Sequence, residues 1–466
     1  MDATSVIEKY KNYIKNKKAA VIGIGVSNTP LIKFLVKCGA DVTALDKQSE
    51  EKLKDRLEQL KHLPVKFKLG NDYLENLSQY DVVFKTPGIR YDIPELLDAV
   101  KNNVVVTSEM EVFFELCPAQ IIAVTGSDGK TTTTTIIYEI LKQHGYKCWL
   151  GGNIGQPLID VVEYIDKNDK VVLELSSFQL HTMKKSADIA VITNVSPNHL
   201  DIHKSMDEYI NAKQNIFTHQ NSGGKLIVNY NNDITRRFGE IAKGEAVYFD
   251  KNGIIKQGAI LSNGDLRYVD ELRDIEIVKQ RDIVIPGMHN VENYLAAIAA
   301  VIDMVQPEDI KKVAISFKGV EHRIEYVKTV NGVKFYNDSI GSSPTRTKAT
   351  LESFKQKVIL ICGGYDKNIS YDEIGKVIDE KVKKLVLIGQ TAPKIKKSYE
   401  LEMKKQNRNI WIPIVECNSL NDAVHEAYKD TQRGDIVVLS PASASFDMFR
   451  NFEERGNAFK EIVRNL

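Results

Sequence analysis

Residues 126 to 131 read Gly-Ser-Asp-Gly-Lys-Thr, and these residue types at this spacing suit the holding of a polyphosphate. Small residues let consecutive backbone N–H groups converge on phosphate oxygens, and a helix N-terminus adds the positive end of its dipole. In such a loop Lys130 reaches the terminal phosphates and the Thr131 hydroxyl binds Mg²⁺, with Gly126, Ser127, Asp128, Gly129 and Thr132 completing the cradle. The usual loop carries a glycine five positions before the second one. Val124 stands there, so the match is to a shorter Gly-x-x-Gly-Lys-Thr form. Glu174 follows the apolar run Val171-Val-Leu, and a carboxylate where a strand exits suits a divalent cation beside a triphosphate. The alternative, an exposed helix-capping acid, is disfavoured by its apolar flanks. His199 lies in Asn194-Val-Ser-Pro-Asn-His-Leu-Asp after another apolar run, which makes it a candidate. His203, four residues on, is read as incidental, because this Pro-containing loop is not the helix of a zinc-binding histidine pair.

These residues need elements to position them. The apolar run 121–124, the glycine turn and the helical spacing of Ile136, Ile137, Ile140 and Leu141 predict strand, phosphate loop and helix. Strands at 171–175 and 188–193 each run into polar segments, and in parallel sheets chemistry collects outside the carboxyl ends of strands. Upstream, Ala19-Ala-Val-Ile-Gly-Ile-Gly25, a helical pattern and a second strand ending at Asp46 form a βαβ start. Gly23-x-Gly25 followed by Asn28 is an incomplete dinucleotide fingerprint, which suggests a Rossmann-like domain for some nucleotide-bearing molecule, NAD being one option. Strands at 82–84 and 104–106 continue the alternation. The stretch 221–285, with turns at Asn252-Gly and Asn263-Gly, predicts an antiparallel patch, and a helix follows Gly287. From Gly319 onward, strands at 333–336, 357–361, 384–388 and 435–439 lead a further α/β unit. Three polar segments, 337–344, 363–367 and 440–446, follow its strands; each alone could be a capped turn, and together they suggest a ligand rim. The expectation is an α/β chain of three domains: a Rossmann-like domain over 1–116, a central P-loop ATPase-type domain with a mostly parallel sheet over 117–318, and a C-terminal Rossmann-like domain over 319–466.

Composition narrows the function classes. Over 466 residues, 63 Lys and Arg nearly cancel 62 Asp and Glu, so no global basic field argues for nucleic acid or an anionic membrane. The five cysteines are scattered without a Cys-x-x-Cys pair, which indicates neither a zinc site nor a disulfide framework. A reducing cytosol fits, and the N-terminal ten residues lack a signal-type apolar core. No apolar run approaches the roughly 20 residues that span a bilayer. A soluble cytoplasmic protein, a monomer with small-molecule partners, is expected.

Thr125-Gly-Ser-Asp-Gly-Lys-Thr-Thr, Glu174-Leu-Ser-Ser-Phe-Gln-Leu, Asn194-Val-Ser-Pro-Asn-His-Leu-Asp, Gly287-Met-His-Asn-Val-Glu-Asn, Glu321-His-Arg-Ile-Glu and Tyr336-Asn-Asp-Ser together resemble the Mur ligases of bacterial peptidoglycan synthesis. The resemblance covers essentially the whole chain. Asp338-Ser-Ile-Gly-Ser-Ser-Pro-Thr and Leu439-Ser-Pro-Ala-Ser-Ala-Ser-Phe-Asp-Met-Phe look like the members that add D-glutamate, and the Asp-Asn-Pro-Arg motif of members that add a diamino acid does not occur. The resemblance implies an ATP-dependent amide ligase: UDP-N-acetylmuramoyl-L-alanine is activated as an acyl phosphate and D-glutamate supplies the attacking amine. It implies two Mg²⁺ ions, with Thr131 and Glu174 serving the first. His199 would serve the second, with Lys213 as a carbamate; by its surroundings alone, Lys213 in Tyr209-Ile-Asn-Ala-Lys is an ordinary helical lysine. It also implies that Lys130, Lys213 and His199 are catalytic, that Asn290 and Asn293 meet adenine, and that Arg323 and Asp338 contact the nucleotide. Gly25, Val26, Ser27, Asp46 and Lys47 line up with UDP, and Asn153 and His199 with the rest of the UDP substrate. Ser342, Lys367, Ser445, Phe446 and Phe452 match D-glutamate positions. Ser342 keeps the hydroxyl of a threonine seen in some relatives, and Ile340 stands where some carry a lysine.

Three rivals differ in what they leave idle. A folylpolyglutamate synthase would lack the roughly 115 residues before the phosphate loop. An NAD-dependent dehydrogenase built on Gly23-x-Gly25 leaves Lys130, Glu174 and His199 without a task. A nucleotide-gated binding protein has no use for His199 with Lys213.

Overall fold

The computed structural model describes residues 3–197, 202–367, 369–408 and 411–466. Three sheets carry the chain. Strands β1 (Lys18–Ile22), β2 (Asp41–Asp46), β3 (Lys66–Leu69), β4 (Val82–Phe84) and β5 (Val105–Thr107) form a parallel sheet of order β3-β2-β1-β4-β5. The second sheet holds β6 (Gln120–Thr125), β7 (Cys148–Gly152), β8 (Lys170–Glu174), β9 (Ile189–Ile192), β10 (Lys225–Asn229), β11 (Glu245–Asp250), β12 (Gly258–Ser262), β13 (Asp265–Val269) and β14 (Asp274–Lys279). Its order is β14-β13-β12-β11-β10-β9-β6-β8-β7, parallel from β7 to β12. The third holds β15 (Glu325–Val330), β16 (Val333–Asn337), β17 (Val358–Gly363), β18 (Val382–Ile388), β19 (Ile414–Cys417) and β20 (Ile436–Leu439), in the order β15-β16-β20-β17-β18-β19 with only the β15–β16 pair antiparallel.

Interior strands of the second and third sheets are continuous apolar runs (Ile121-Ile-Ala-Val, Val171-Val-Leu, Val358-Ile-Leu-Ile-Cys) because both their faces are covered, which leaves no side for polar alternation. One apolar cluster runs from Ile7, Ile14 and Phe34 in the first hundred residues through Ala123, Leu173 and Ile192 of the second sheet. By contact density the chain forms two compact units, Met1–Lys279 with Glu292–Val313, and Gln280–Val291 with Ala314–Leu466. In the second unit, separate apolar clusters cover the two faces of the third sheet.

Two expectations need correction. The stretch 221–285 is antiparallel only at its end: β10 and β11 extend the parallel sheet, and β12, β13 and β14 form the antiparallel patch. β3, β7, β15 and β19 were not predicted; all four are edge strands, at most half-buried along most of their length, that lack a long buried apolar run. Asn28, which breaks the dinucleotide fingerprint, has a compensating job. Its buried amide donates to the carbonyls of Ile22 (2.8 Å) and Gly23 (3.1 Å), tying the helix Asn28–Lys37 to the end of β1.

Candidate active site

The sheet grows one way from β6 to β7 and β8, then continues from β9 on the other side of β6. Such a reversal opens a crevice at the carboxyl ends of the strands, and the phosphate loop, Glu174 and the segment after β9 all lie there. Gly126 takes φ 149°, and a Cβ on it would sit 1.9 Å from Thr193 Oγ1. Gly129 (φ 78°) precedes the helix Lys130–His144, and a Cβ there would sit 2.4 Å from Asn293 Oδ1. Neither position admits a side chain. The loop is held from β9's exit: Asp128 N–H donates to Asn194 Oδ1 (2.9 Å), Thr193 Oγ1 donates to Asp128 O (2.5 Å), and Ser127 Oγ donates to Ser196 O (2.9 Å). Lys130 Nζ donates to the carbonyls of Gly126 (3.0 Å) and Ser127 (2.9 Å).

Lys213 is not an exposed helical lysine. Ser205 caps the helix Met206–Gln214, whose i, i+4 spacing stacks Tyr209 and Lys213 on one face. Both are buried, with Lys213 Nζ 4.6 Å from the Tyr209 ring centre. Nζ donates to Gly126 O (2.8 Å) and Thr125 Oγ1 (3.4 Å). Burial, reinforced by the charge of Lys130, holds this amine well below the ordinary lysine range; Asp128 and Glu174 oppose the shift without reversing it. Glu174 is 2% exposed. Its Oε1 accepts from Asn153 Nδ2 (2.9 Å), and its buried Oε2 has no hydrogen-bond partner among the described residues. A carboxylate oxygen so placed costs free energy unless a cation takes it, and with the hydroxyl of Thr131 at the start of the neighbouring helix, these oxygen donors fit a hard divalent ion. Asn153 is thereby brought to Glu174, with which sequence alone had not associated it. His199 falls outside the described residues.

In the first domain Asp46 spends its carboxylate on backbone, accepting from Ile24 N–H (2.8 Å) and Gln48 N–H (2.8 Å). It therefore shapes the turn holding Gly25, Val26 and Ser27. Val26 and Lys47 are exposed and Ser27 is half-buried. Asn293 Oδ1 accepts from Thr133 Oγ1 (3.2 Å), and Asn290 Nδ2 donates to Pro286 O (2.6 Å).

In the second unit, the polar segments of the third sheet come together at the ends of β16, β20 and β17. Asp338 Oδ2 accepts from Thr350 Oγ1 (2.6 Å) and Ser440 Oγ (2.7 Å), Gly363 N–H donates to Pro441 O (2.8 Å), and Tyr365 N–H donates to Ala444 O (2.9 Å). Burial pushes the Asp338 carboxyl up to about 6, against the two hydroxyls and the charge of Arg323, which favour its ionised form. Ser445 is buried, Ser342 is half-buried, and Lys367 and Phe446 are exposed, the latter ring edge-on to Tyr365 at 5.8 Å. Phe452 meets the His322 ring edge-on at 5.9 Å.

Sequence reasoning overlooked Arg455. It is 1% exposed and donates to Ser339 Oγ (3.0 Å), Ser339 O (2.8 Å) and the carbonyls of Ser443 (3.1 Å) and Ala444 (2.9 Å), so one side chain ties two of the three loops. His203 was read as incidental, yet it is 2% exposed and its Nε2 lies 2.9 Å from Ser177 Oγ.

Residues 17–108 match the Mur ligase MurD-like N-terminal domain, 124–301 the Mur ligase middle domain and 322–443 the Mur ligase glutamate ligase domain. The chain is 62% identical over 460 residues to the UDP-N-acetylmuramoylalanine–D-glutamate ligase of Acetivibrio thermocellus, covering 99% of each. It is 56% identical to the protein of the same name from Ruminiclostridium cellulolyticum, again over 99% of each. Among solved structures, UDP-N-acetylmuramate–alanine ligase from Thermotoga maritima aligns with TM-score 0.56 at 19% identity, covering 97% of this chain and 100% of that one. A pseudomurein peptide ligase from Methanothermus fervidus aligns with TM-score 0.54 at 19% identity over the same shares. At that identity these two show a common fold.

Proposed function

The chain belongs to the Mur ligase family, and on that premise we propose that it joins D-glutamate to UDP-N-acetylmuramoyl-L-alanine at the expense of ATP. The observation that carries this reading is the 62% identity, over 99% of both chains, to a ligase of that name. In the reaction, the alanyl carboxylate attacks the γ-phosphorus of ATP and ADP leaves. The amine of D-glutamate then attacks the acyl phosphate carbon, phosphate leaves, and the amine loses its proton.

Carboxylate attack on ATP brings several negative charges together, so the protein must supply cations and N–H donors. Gly126 to Thr132 offer backbone N–H groups and the dipole of the helix Lys130–His144. Lys130, now folded onto its own loop, swings to the terminal phosphates. Asn290, Asn293, Arg323 and Asp338 are assigned to the nucleotide, and Gly25, Val26, Ser27, Asp46, Lys47 and Asn153 to the UDP substrate. Ser342, Ser445, Phe446, Phe452 and the cation of Lys367 are assigned to the dicarboxylate. The domain assignments are 1–116 for the UDP substrate, 117–318 for ATP and 319–466 for D-glutamate. Two Mg²⁺ ions, which when bound neutralise phosphate charge, would be held by Thr131 and Glu174 and by His199 with Lys213. A deprotonated lysine can attack carbon dioxide through Nζ; releasing one proton, it becomes a carbamate, and the lowered proton affinity of Lys213 supports that modification. The acyl phosphate hydrolyses readily, so exclusion of water belongs to the chemistry. The assignment is of a cytoplasmic monomer; among the described residues no helix is long and apolar enough to cross a membrane.

The test is phosphate release from ATP and Mg²⁺ with UDP-N-acetylmuramoyl-L-alanine and a panel of amino acids. Release that depends on D-glutamate is expected. Equal release with L-lysine or L-alanine would overturn the substrate assignment.

A further inference from the structure

Away from the phosphate loop, the loop after β4, the short helix Ser177–Leu180 and residues Ile202 and His203, just before the helix Met206–Gln214, border an open cleft. Lys85, Arg90, Tyr91, Phe178, His181 and His203 are among its lining residues. Beside it, ligand atoms of His181, His203 and Glu208 lie within 4.8 Å of one another. We propose that these three residues form a binding site for a divalent transition metal of the zinc class.

Distances, preorganisation and donor chemistry carry the proposal. His181 Nε2 is 3.4 Å from Glu208 Oε1, and His203 Nδ1 is 3.8 Å from Glu208 Oε2. Ligands about 2.0–2.1 Å from a tetrahedral ion stand roughly 3.3 Å apart, so modest side-chain movement closes the set. Both imidazoles are already oriented. The His203 ring stacks on Phe178 (5.1 Å, 5°) and meets the edge of Tyr209 at 5.2 Å, while the His181 ring packs against Tyr91 at 4.7 Å. Ser177 Oγ, 2.9 Å from His203 Nε2, can accept that nitrogen's proton, which leaves Nδ1 as the ligating atom. This is the outer-shell contact that metal-binding histidines use to fix their tautomer.

The set has a competitor, Arg90. It donates to Glu208 Oε1 (2.7 Å) and Oε2 (3.3 Å), and Lys204 N–H also donates to Oε2 (2.5 Å). Each carboxylate oxygen has two lone pairs, so Oε1 keeps one in the direction of His181. Arg90 is also paired with Asp92 through both oxygens (2.8 and 2.9 Å), which offsets its charge near the dication. Two imidazoles and one carboxylate with an open side toward the cleft select zinc or cobalt over magnesium. None of the three ligands belongs to the residues assigned to ATP, the UDP substrate or D-glutamate.

The experiment titrates Co²⁺ into the full-length protein in metal-depleted buffer containing excess Mg²⁺, which fills oxygen-rich sites. One equivalent should bind with the intense visible bands of four-coordinate nitrogen and oxygen ligation, and Zn²⁺ should displace it. His181→Ala should weaken binding at least tenfold, and Arg90→Gln should tighten it by releasing Glu208. His181→Gln serves if the alanine variant fails to fold by circular dichroism. Absence of the bands, their full retention in the His181 variant, or thiolate-to-cobalt charge-transfer bands placing the ion at a cysteine would each overturn the proposal.

Discussion

At the scale of single residues, Lys213 and Glu174 stand out because each is left in an unfavourable state. Among the described residues, Lys213 is buried with no carboxylate at ion-pair distance and one Glu174 oxygen is buried with no donor, and both situations oppose folding. Proteins keep such groups where chemistry requires them. Lys213→Ala should therefore reduce turnover at least a hundredfold in the phosphate-release assay, with partial rescue by short carboxylic acids that replace the carbamate. Full activity in that variant would remove the role. Stability should move the other way. Between the lowered value of folded Lys213 and the ordinary 10.5, the unfolded chain binds a proton that the folded chain does not, so this residue makes stability rise with pH across that window. In carbon-dioxide-free buffer at pH 7, Lys213→Met should melt at a higher temperature than the natural chain, and the gain should shrink as pH approaches 10.5. For Glu174, the isosteric Glu174→Gln variant should raise the Mg²⁺ concentration giving half-maximal activity at least tenfold; an unchanged Mg²⁺ titration would release Glu174 from the metal.

At the scale of elements, loops at strand ends are shaped by what presses on them. Gly126 is closed in by Thr193, whereas nothing lies within 4 Å of a Cβ placed on Gly25. Gly126→Ala should cost at least tenfold in kcat/KM for ATP and lower the melting temperature. Gly25→Ala should fold normally and raise the KM for the UDP substrate alone, since only a ligand would meet the new methyl group. An unchanged KM would place the UDP end elsewhere. The loops of the third sheet depend instead on Arg455, whose guanidinium satisfies carbonyls on two of them. Arg455→Ala removes the donor from the carbonyls of Ser339 and Ser443, while Ala444 O keeps the N–H of Tyr365, and should destabilise the fold by about 1–3 kcal/mol per orphaned carbonyl in urea unfolding.

At the scale of the whole molecule, the first two sheets share an apolar cluster, while the third sheet is covered by clusters of its own. Separate cores imply separate cooperative units. Calorimetry should resolve at least two unfolding transitions, and a ligand confined to the first unit should raise only one of them. A single transition with equal calorimetric and van't Hoff enthalpies would contradict that division.

The phosphate loop, the alternating α/β pattern and the family were legible in the sequence because they rest on local rules. Glycines are needed where φ is positive, strands covered on both faces read as apolar runs, and motif spacing survives without coordinates. Edge strands such as β15 and β19 were not legible, since half-burial leaves no long apolar run. Nor was the state of individual polar side chains. Lys213 reads as an ordinary helical lysine and His203 as incidental, nothing marks Arg455, and only packing from elements distant in sequence removed them from water. By itself the sequence determined which chemical groups exist and which backbone elements carry them. The tertiary structure decided which groups lose solvent and which partners they then find, because desolvation and hydrogen bonding depend on segments tens to hundreds of residues apart.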